Sequence, residues 1–234
     1  MSGYFASPAY YFKFKGEVNT RRVLEVAVNR AKDLSVRAII VASETERNAL
    51  KALEVIKRHG PTLKLVVVTH PPDKTWRPKG DIPIGLNHPR YRKIREYLEK
   101  AGAIIVQGTR PFAPASRSLG WEKALPDTLI DFLIGGVFGQ GVKVAIEAAV
   151  MAADAGAVSR GDVVVSLDST YKGLDSAIVA RTTYSYYFLK EFEVLEIIAK
   201  PWRHRVTLPE YKDPGWRGDL DLYYENPTRW IAPE

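Results

Sequence analysis

Short β-branched runs alternating with amphipathic helical segments constrain this chain more than any other feature. Residues 36–42 and 63–69 are almost continuously aliphatic, the pattern of strands covered on both faces. Upstream, Thr20 is placed to cap a segment in which Val23, Leu24, Ala27, Val28, Ala31 and Leu34 recur at helical spacing. Ser43-Glu44-Thr45-Glu46 has the spacing of a capping box. It opens a helix that turns Ala49, Leu50, Leu53 and Ile56 inward and stops at Gly60-Pro61. Further strands are expected at 10–14, 104–106, 162–167, 177–181 and 192–199. Further helices are expected from Pro89 to Gly102, at 127–133, and from the glycine-rich stretch 135–141 to Ala155, closed by Gly156. This order predicts an α/β fold: three layers, α/β/α, around a mostly parallel mixed sheet.

A chain of 234 residues can bury one large core, and no long linker divides it. The reading is a domain over 1–200 and a distinct tail over 201–234. The tail sets Trp202, Trp216, Tyr223, Tyr224 and Trp230 among prolines and charges. So aromatic a segment is expected to pack, on its own domain or on a neighbouring subunit of a homo-oligomer. The absence of cysteine excludes disulfides, thiolate metal sites and cysteine nucleophiles. His59, His70, His88 and His204 lack metal-ligand spacing, so no metal site is expected. The apolar stretch 142–153 is broken by Lys143 and Glu147 and falls short of a membrane span. Met1-Ser2-Gly3-Tyr4 has no signal-peptide character, which makes a cytoplasmic location the expectation. The net charge of +7 is dispersed, with local density only around 90–95 and 203–205. That pattern suits helix surfaces and argues against a nucleic-acid interface. The lack of cysteine, two methionines and many charges also fit a heat-adapted protein.

In open α/β sheets, ligands sit beyond the carboxyl ends of the strands, where helix N-termini point N–H groups outward. Several segments here fall at such places. Ser43 and Thr45 follow the 36–42 strand, and Thr69 and His70 follow the next. Gln107 opens the long loop after 104–106. Gly139, Gln140 and Gly141 close a glycine-rich stretch that lacks the Walker order, because no Ser or Thr follows Lys143. Lys143 and Glu147 stand four apart on one helix face, with Met151 and Asp154 continuing the stripe. It reads either as a solvated face or as the polar wall of a cleft. The loop 168–176, with Asp168, Ser169, Thr170, Lys172 and Gly173, combines hydroxyls, a cation and a glycine and is the strongest anion candidate.

Several local strings, in this order, resemble the C-terminal effector domain of pyruvate kinase. They are Arg37-Ala38-Ile39-Ile40-Val41-Ala42-Ser43, Leu65-Val66-Val67-Val68-Thr69, and Arg160-Gly161-Asp162-Val163-Val164-Val165 with the polar loop to Gly173 and the run 177–181. The chain is more similar still to the archaeal stand-alone proteins of this α/β-domain type. There, a helix like 141–156 and an Arg-Ser pair, here Arg117-Ser118, are characteristic. The resemblance spans about residues 10–200 and implies a five-stranded mixed sheet in three layers and FMN as ligand, with no established reaction. It does not imply pyruvate kinase activity, since the chain has no room for a catalytic barrel. Glu44 and Glu46 stand where the effector domain carries neutral and basic residues, which disfavours a sugar bisphosphate at that turn. Three functions therefore stay open: a binder of a phosphorylated flat cofactor such as FMN, including a flavin-dependent oxidoreductase; a non-enzymatic module sensing a phosphorylated metabolite; and, behind these, a basic nucleic-acid binder.

Overall fold

A computed structural model describes residues 3–74, 83–112, 126–169 and 172–204. The expected alternation is present. Strand β1 (Tyr10–Phe12) leads to helix α1 (Thr20–Asp33), and β2 (Ala38–Ala42) to α2 (Glu46–His59). β3 (Lys64–Thr69) is followed by a two-residue ribbon, β4 (Asp73–Lys74) with β5 (Pro83–Ile84), and by α3 (Arg92–Lys100). Next come β6 (Ile104–Gln107), α4 (Pro126–Val137), α5 (Gln140–Asp154) and β7 (Val163–Asp168). The chain closes with β8 (Ser176–Arg181), α6 (Phe188–Glu191) and β9 (Glu193–Pro201).

Seven strands form one sheet in the order β1-β9-β8-β7-β2-β3-β6. The resemblance implied five; the sheet has two more, and β1 and β6 form its edges. β8 runs antiparallel to both of its neighbours, and every other pairing in the sheet is parallel. The sheet is therefore mixed and mostly parallel.

Alternation along the strands splits the core into two layers. Ile39, Val41, Leu65, Val67, Val165 and Leu167 face α1, α2 and α3. Ala38, Ile40, Val66, Val68 and Val164 face α5. A third cluster joins Val142, Ala145 and Ile146 of α5 to Ile178, Ala180 and Phe112, with Ile130 and Ile134 of α4 packed against it. Helices on opposite faces carry the chain outward to β6 and back to β7, as a constant crossover hand requires. Each wholly covered aliphatic side chain contributes about 1.5–3 kcal/mol to this packing. A bidentate pair also ties α1 to the far strand: Arg30 Nη2 and Nε lie 2.7 and 2.9 Å from the Glu196 carboxylate on β9.

Some local expectations are revised. Thr20 is the first residue of α1 rather than its cap, and its hydroxyl instead accepts the Leu174 N–H at 3.0 Å. Gly135 and Gly136 are not loop residues, because α4 continues through them to Val137 and the side chain of Gln140 folds against Gly135. Leu34 lies just past α1 and is exposed. No helix among the described residues is long and apolar enough to cross a membrane. The tail from residue 205 onward lies outside the described residues.

Ile40 is wholly buried between the central strands and α5. Ile40→Ala should cost about 3 kcal/mol of unfolding free energy in a urea titration, since it both removes buried methylenes and leaves a cavity. A loss under about 1 kcal/mol would mean that this layer is not close-packed.

Candidate functional site

The described loops among those named from the sequence lie at the carboxyl edge of the sheet. Ser43 is buried after β2. Its N–H continues the ladder to the Val68 carbonyl (2.9 Å), and its hydroxyl accepts the Ala49 N–H (3.1 Å) and donates to the Thr45 carbonyl. Thr69 ends β3, where its hydroxyl accepts the Leu86 N–H (3.1 Å) and its carbonyl the Gly108 N–H (3.2 Å). His70, half-buried, has Nδ1 3.4 Å from Glu44 Oε1. Gln107 is exposed at the end of β6 and accepts from Asn87 Nδ2 at 2.7 Å. Much of this polar capacity is thus spent in joining one loop to the next. Arg117, Ser118 and Thr170 lie outside the described residues.

The capping box does not form as its spacing suggested. Thr45 is the N-cap of α2 without a side-chain cap bond, and Glu46 is already the first helical residue. The Ser43 N–H is committed to the β2–β3 ladder, so the Glu46 carboxylate has no N–H to reach back to. Glu46 is instead wholly buried, and neither of its oxygens has a hydrogen-bond partner among the described residues. Burial pushes its pKa up to about 7, against the opposing pull of its own backbone N–H and of Arg47 and Arg90.

Between α4 and α5 lies a second buried set. Lys143, in the first turn of α5, places Nζ 2.8 Å from Asp131 Oδ1 and 3.0 Å from Glu147 Oε2, and all three side chains are buried. The Lys-Glu pair is therefore not a solvated face. Met151, on the same stripe, packs in the core, and only Asp154 reaches solvent. Glu147 Oε1 has no hydrogen-bond partner among the described residues. Burial raises the Glu147 pKa despite Lys143 and Arg110, and Asp131 pushes it the same way. At the end of β7, burial drives the Asp168 carboxyl well above the usual carboxylate range. The Ser169 N–H opposes this, while Glu44 and Asp175 add to it and Lys143 subtracts.

The loop after β7 is folded onto the β1–α1 connection. Asp175 is buried, accepts the Gly16 N–H at 2.7 Å and the Ser176 hydroxyl at 2.8 Å, and lies against α5. Gly141 allows this approach, for a Cβ there would fall 2.6 Å from Asp175 Oδ1 and closer still to Ser176 Oγ. Gly139 opens α5 at φ +101°, and a Cβ on it would meet His204, just past β9, at 2.9 Å. Gly173, at φ +72°, is pressed against Glu17 and Thr20, and its carbonyl accepts from Asn48 at 3.0 Å. Ser169 Oγ donates to the Lys172 carbonyl (3.0 Å), and the Lys172 side chain is exposed. Gln140, the first residue of α5, is also exposed.

Sequence reasoning passed over Glu46 as a ligand group, and also Asp131 and Asn48, and it took Asp175 only as part of the 168–176 loop. An acid in the middle of a helix that is apolar beyond its first turn was the available signal for Asp131.

No family model matches the chain. A crystal structure described as MNMC2 from Aquifex aeolicus aligns over 92% of this chain and 73% of its own, with 11% identity and a TM-score of 0.27. At that score the likeness carries no argument for fold or function.

An acid whose folded pKa is raised binds its proton more tightly folded than unfolded. Its contribution to stability is therefore full below the unfolded pKa near 4.5 and is lost as pH rises through about 7. The stability difference between wild type and Glu46→Gln, followed by denaturant titration from pH 5 to 8, should move by about 2–3 kcal/mol in favour of the variant. Using the difference cancels Asp168 and Glu147, which bend both curves the same way. A flat difference would refute the burial of this carboxyl.

Proposed function

We propose that the carboxyl edge of this sheet binds a phosphorylated flat cofactor, FMN, in line with the family resemblance. One observation carries this reading. Glu46 on one side of the sheet and Glu147 on the other hold buried carboxyl oxygens without hydrogen-bond partners among the described residues. Burying such oxygens unmatched costs roughly 1–3 kcal/mol each, and a ligand that brings hydrogen-bond donors offsets that cost. The complementary ligand must bring hydrogen-bond donors. FMN brings them in its ribityl hydroxyls and ring imide N–H, and it adds a flat apolar ring and a dianionic phosphate.

The residues fit such a group. Glu46 and Glu147 would accept from hydroxyl or imide donors, the exposed Lys172 would hold the phosphate, and Arg110 lies close enough to Glu147 to add positive potential. The acidic first turn of α2 disfavours the phosphate there, which leaves the Lys172 side of the edge. A bound flavin would supply electron or hydride transfer. The chain's own contribution is a set of carboxyl groups, Glu46, Glu147 and Asp168, whose hold on a proton is strengthened by burial.

Titration of the protein with FMN, followed by quenching of flavin fluorescence, should show saturable binding at one site per chain. Lys172→Glu should weaken that binding tenfold or more, because a charge-assisted contact is replaced by repulsion. Unchanged affinity in that variant would move the phosphate to another loop. A thermal-shift screen in which sugar phosphates raise the melting temperature and FMN does not would replace the cofactor reading with metabolite sensing.

A further inference from the structure

Helix α4 has two unlike faces. Inward, it sends Asp131 to Lys143 and packs Ile130 and Ile134 on the core. Outward, it shows Leu129 (57% exposed), Phe132 (46%), Leu133 (66%) and Val137 (60%), and Phe138 (45%) follows directly. The spacing of 129, 132, 133, 136 and 137 makes these residues one continuous stripe. Asp131, the charged residue within 128–139, is turned into the protein, so the stripe bears no charge.

We propose that this face of α4 is the contact surface of a two-fold symmetric homodimer. Area argues for it. The five side chains expose roughly 500 Å² of apolar surface, near the upper end of what a monomer leaves to water. Two such faces together bury about 1,000 Å², the threshold for a specific interface, before any rim residue is counted. The stripe itself brings no charge into the contact, so pairing buries none; the net charge of +7 on each chain opposes association, which should therefore tighten with added salt. Shape fits as well, for Gly136 lies in the stripe with nothing within 4 Å of a notional Cβ. Two α4 helices can therefore cross closely at that point, and a face made only of apolar groups is complementary to its own copy. Pairing would hold in place the helix that carries Asp131, on its opposite side, to Lys143.

The natural chain has no cysteine, so single cysteines report proximity without background. Purified Leu133→Cys and Val137→Cys variants, mildly oxidised, should run as a disulfide-linked dimer of the 26.2 kDa chain on non-reducing gels. Leu189→Cys, on the exposed apolar surface of α6, should stay monomeric. In light scattering, wild type should have the dimer mass, and Leu133→Asp should have the monomer mass with unchanged far-ultraviolet circular dichroism. Should Leu133→Asp misfold, the cysteine variants decide alone. A monomeric wild type, a dimer that survives Leu133→Asp, or cross-linking through Leu189→Cys but not through 133 or 137 would overturn the proposal.

Discussion

A helix covered on every side leaves no place for a lone charge, and α5 is such a helix. Its residues from Gly141 to Ala153 are buried apart from Val144, between the central strands on one side and α4 on the other. Lys143 can enter that environment only as part of a neutralised group, which Asp131 and Glu147 provide. The arrangement of the rest follows from that need. α4 must lie against α5 so that Asp131 reaches Lys143, and the turn at Gly139 must be short enough to bring the two helices together. The result places the charged cluster in the first turn of α5, at the same sheet edge where the β-strand loops gather.

The second constraint is the mixed direction of the sheet. Parallel strands send their carboxyl ends to one edge, and β8, running the other way, delivers its first residues there. Asp175 and Ser176 therefore reach the site from the start of a strand, whereas Ser43, Thr69, Gln107 and Asp168 reach it from the ends. Acidic groups outnumber the buried cation at this edge. Raised pKa values are the expected response: protonation relieves desolvation at Glu46, Glu147 and Asp168, and at the last two it also relieves repulsion from neighbouring acids.

The layers and the strand directions could be read in the sequence because period-2 and period-3.6 patterns differ over a few residues. β2 and β3 are apolar on both faces, and α1 and α2 on one, so little else fits. The edge that gathers the loops was equally readable, since it follows from parallel pairing. The state of individual side chains was not. A Lys-Glu pair four residues apart looks alike on a wet face and in a core, and the partner that decides, Asp131, stands on a different helix. Glu46 looked like a cap because spacing cannot show that the Ser43 N–H is already bonded to Val68. Gly173 looked like a phosphate-loop glycine, but the surface it meets, at Glu17 and Thr20, lies more than 150 residues earlier in the chain and is reached only through the fold.

The turn between β7 and β8 separates two properties that are coupled in most loops. Asp168 pairs with Ser176 in the ladder, and the Asp175 N–H bonds to the Asp168 carbonyl at 3.1 Å, so the ends of the turn are fixed by the sheet itself. The entropy of closing it is set by those anchors, and doubling its length would add only about 0.6 kcal/mol. The pairing of β7 with β8 is thus held by the ladder and not by the length of the turn that joins them. Strand pairing decides where the turn begins and ends, and a change in its length is a local event at the carboxyl edge of the sheet.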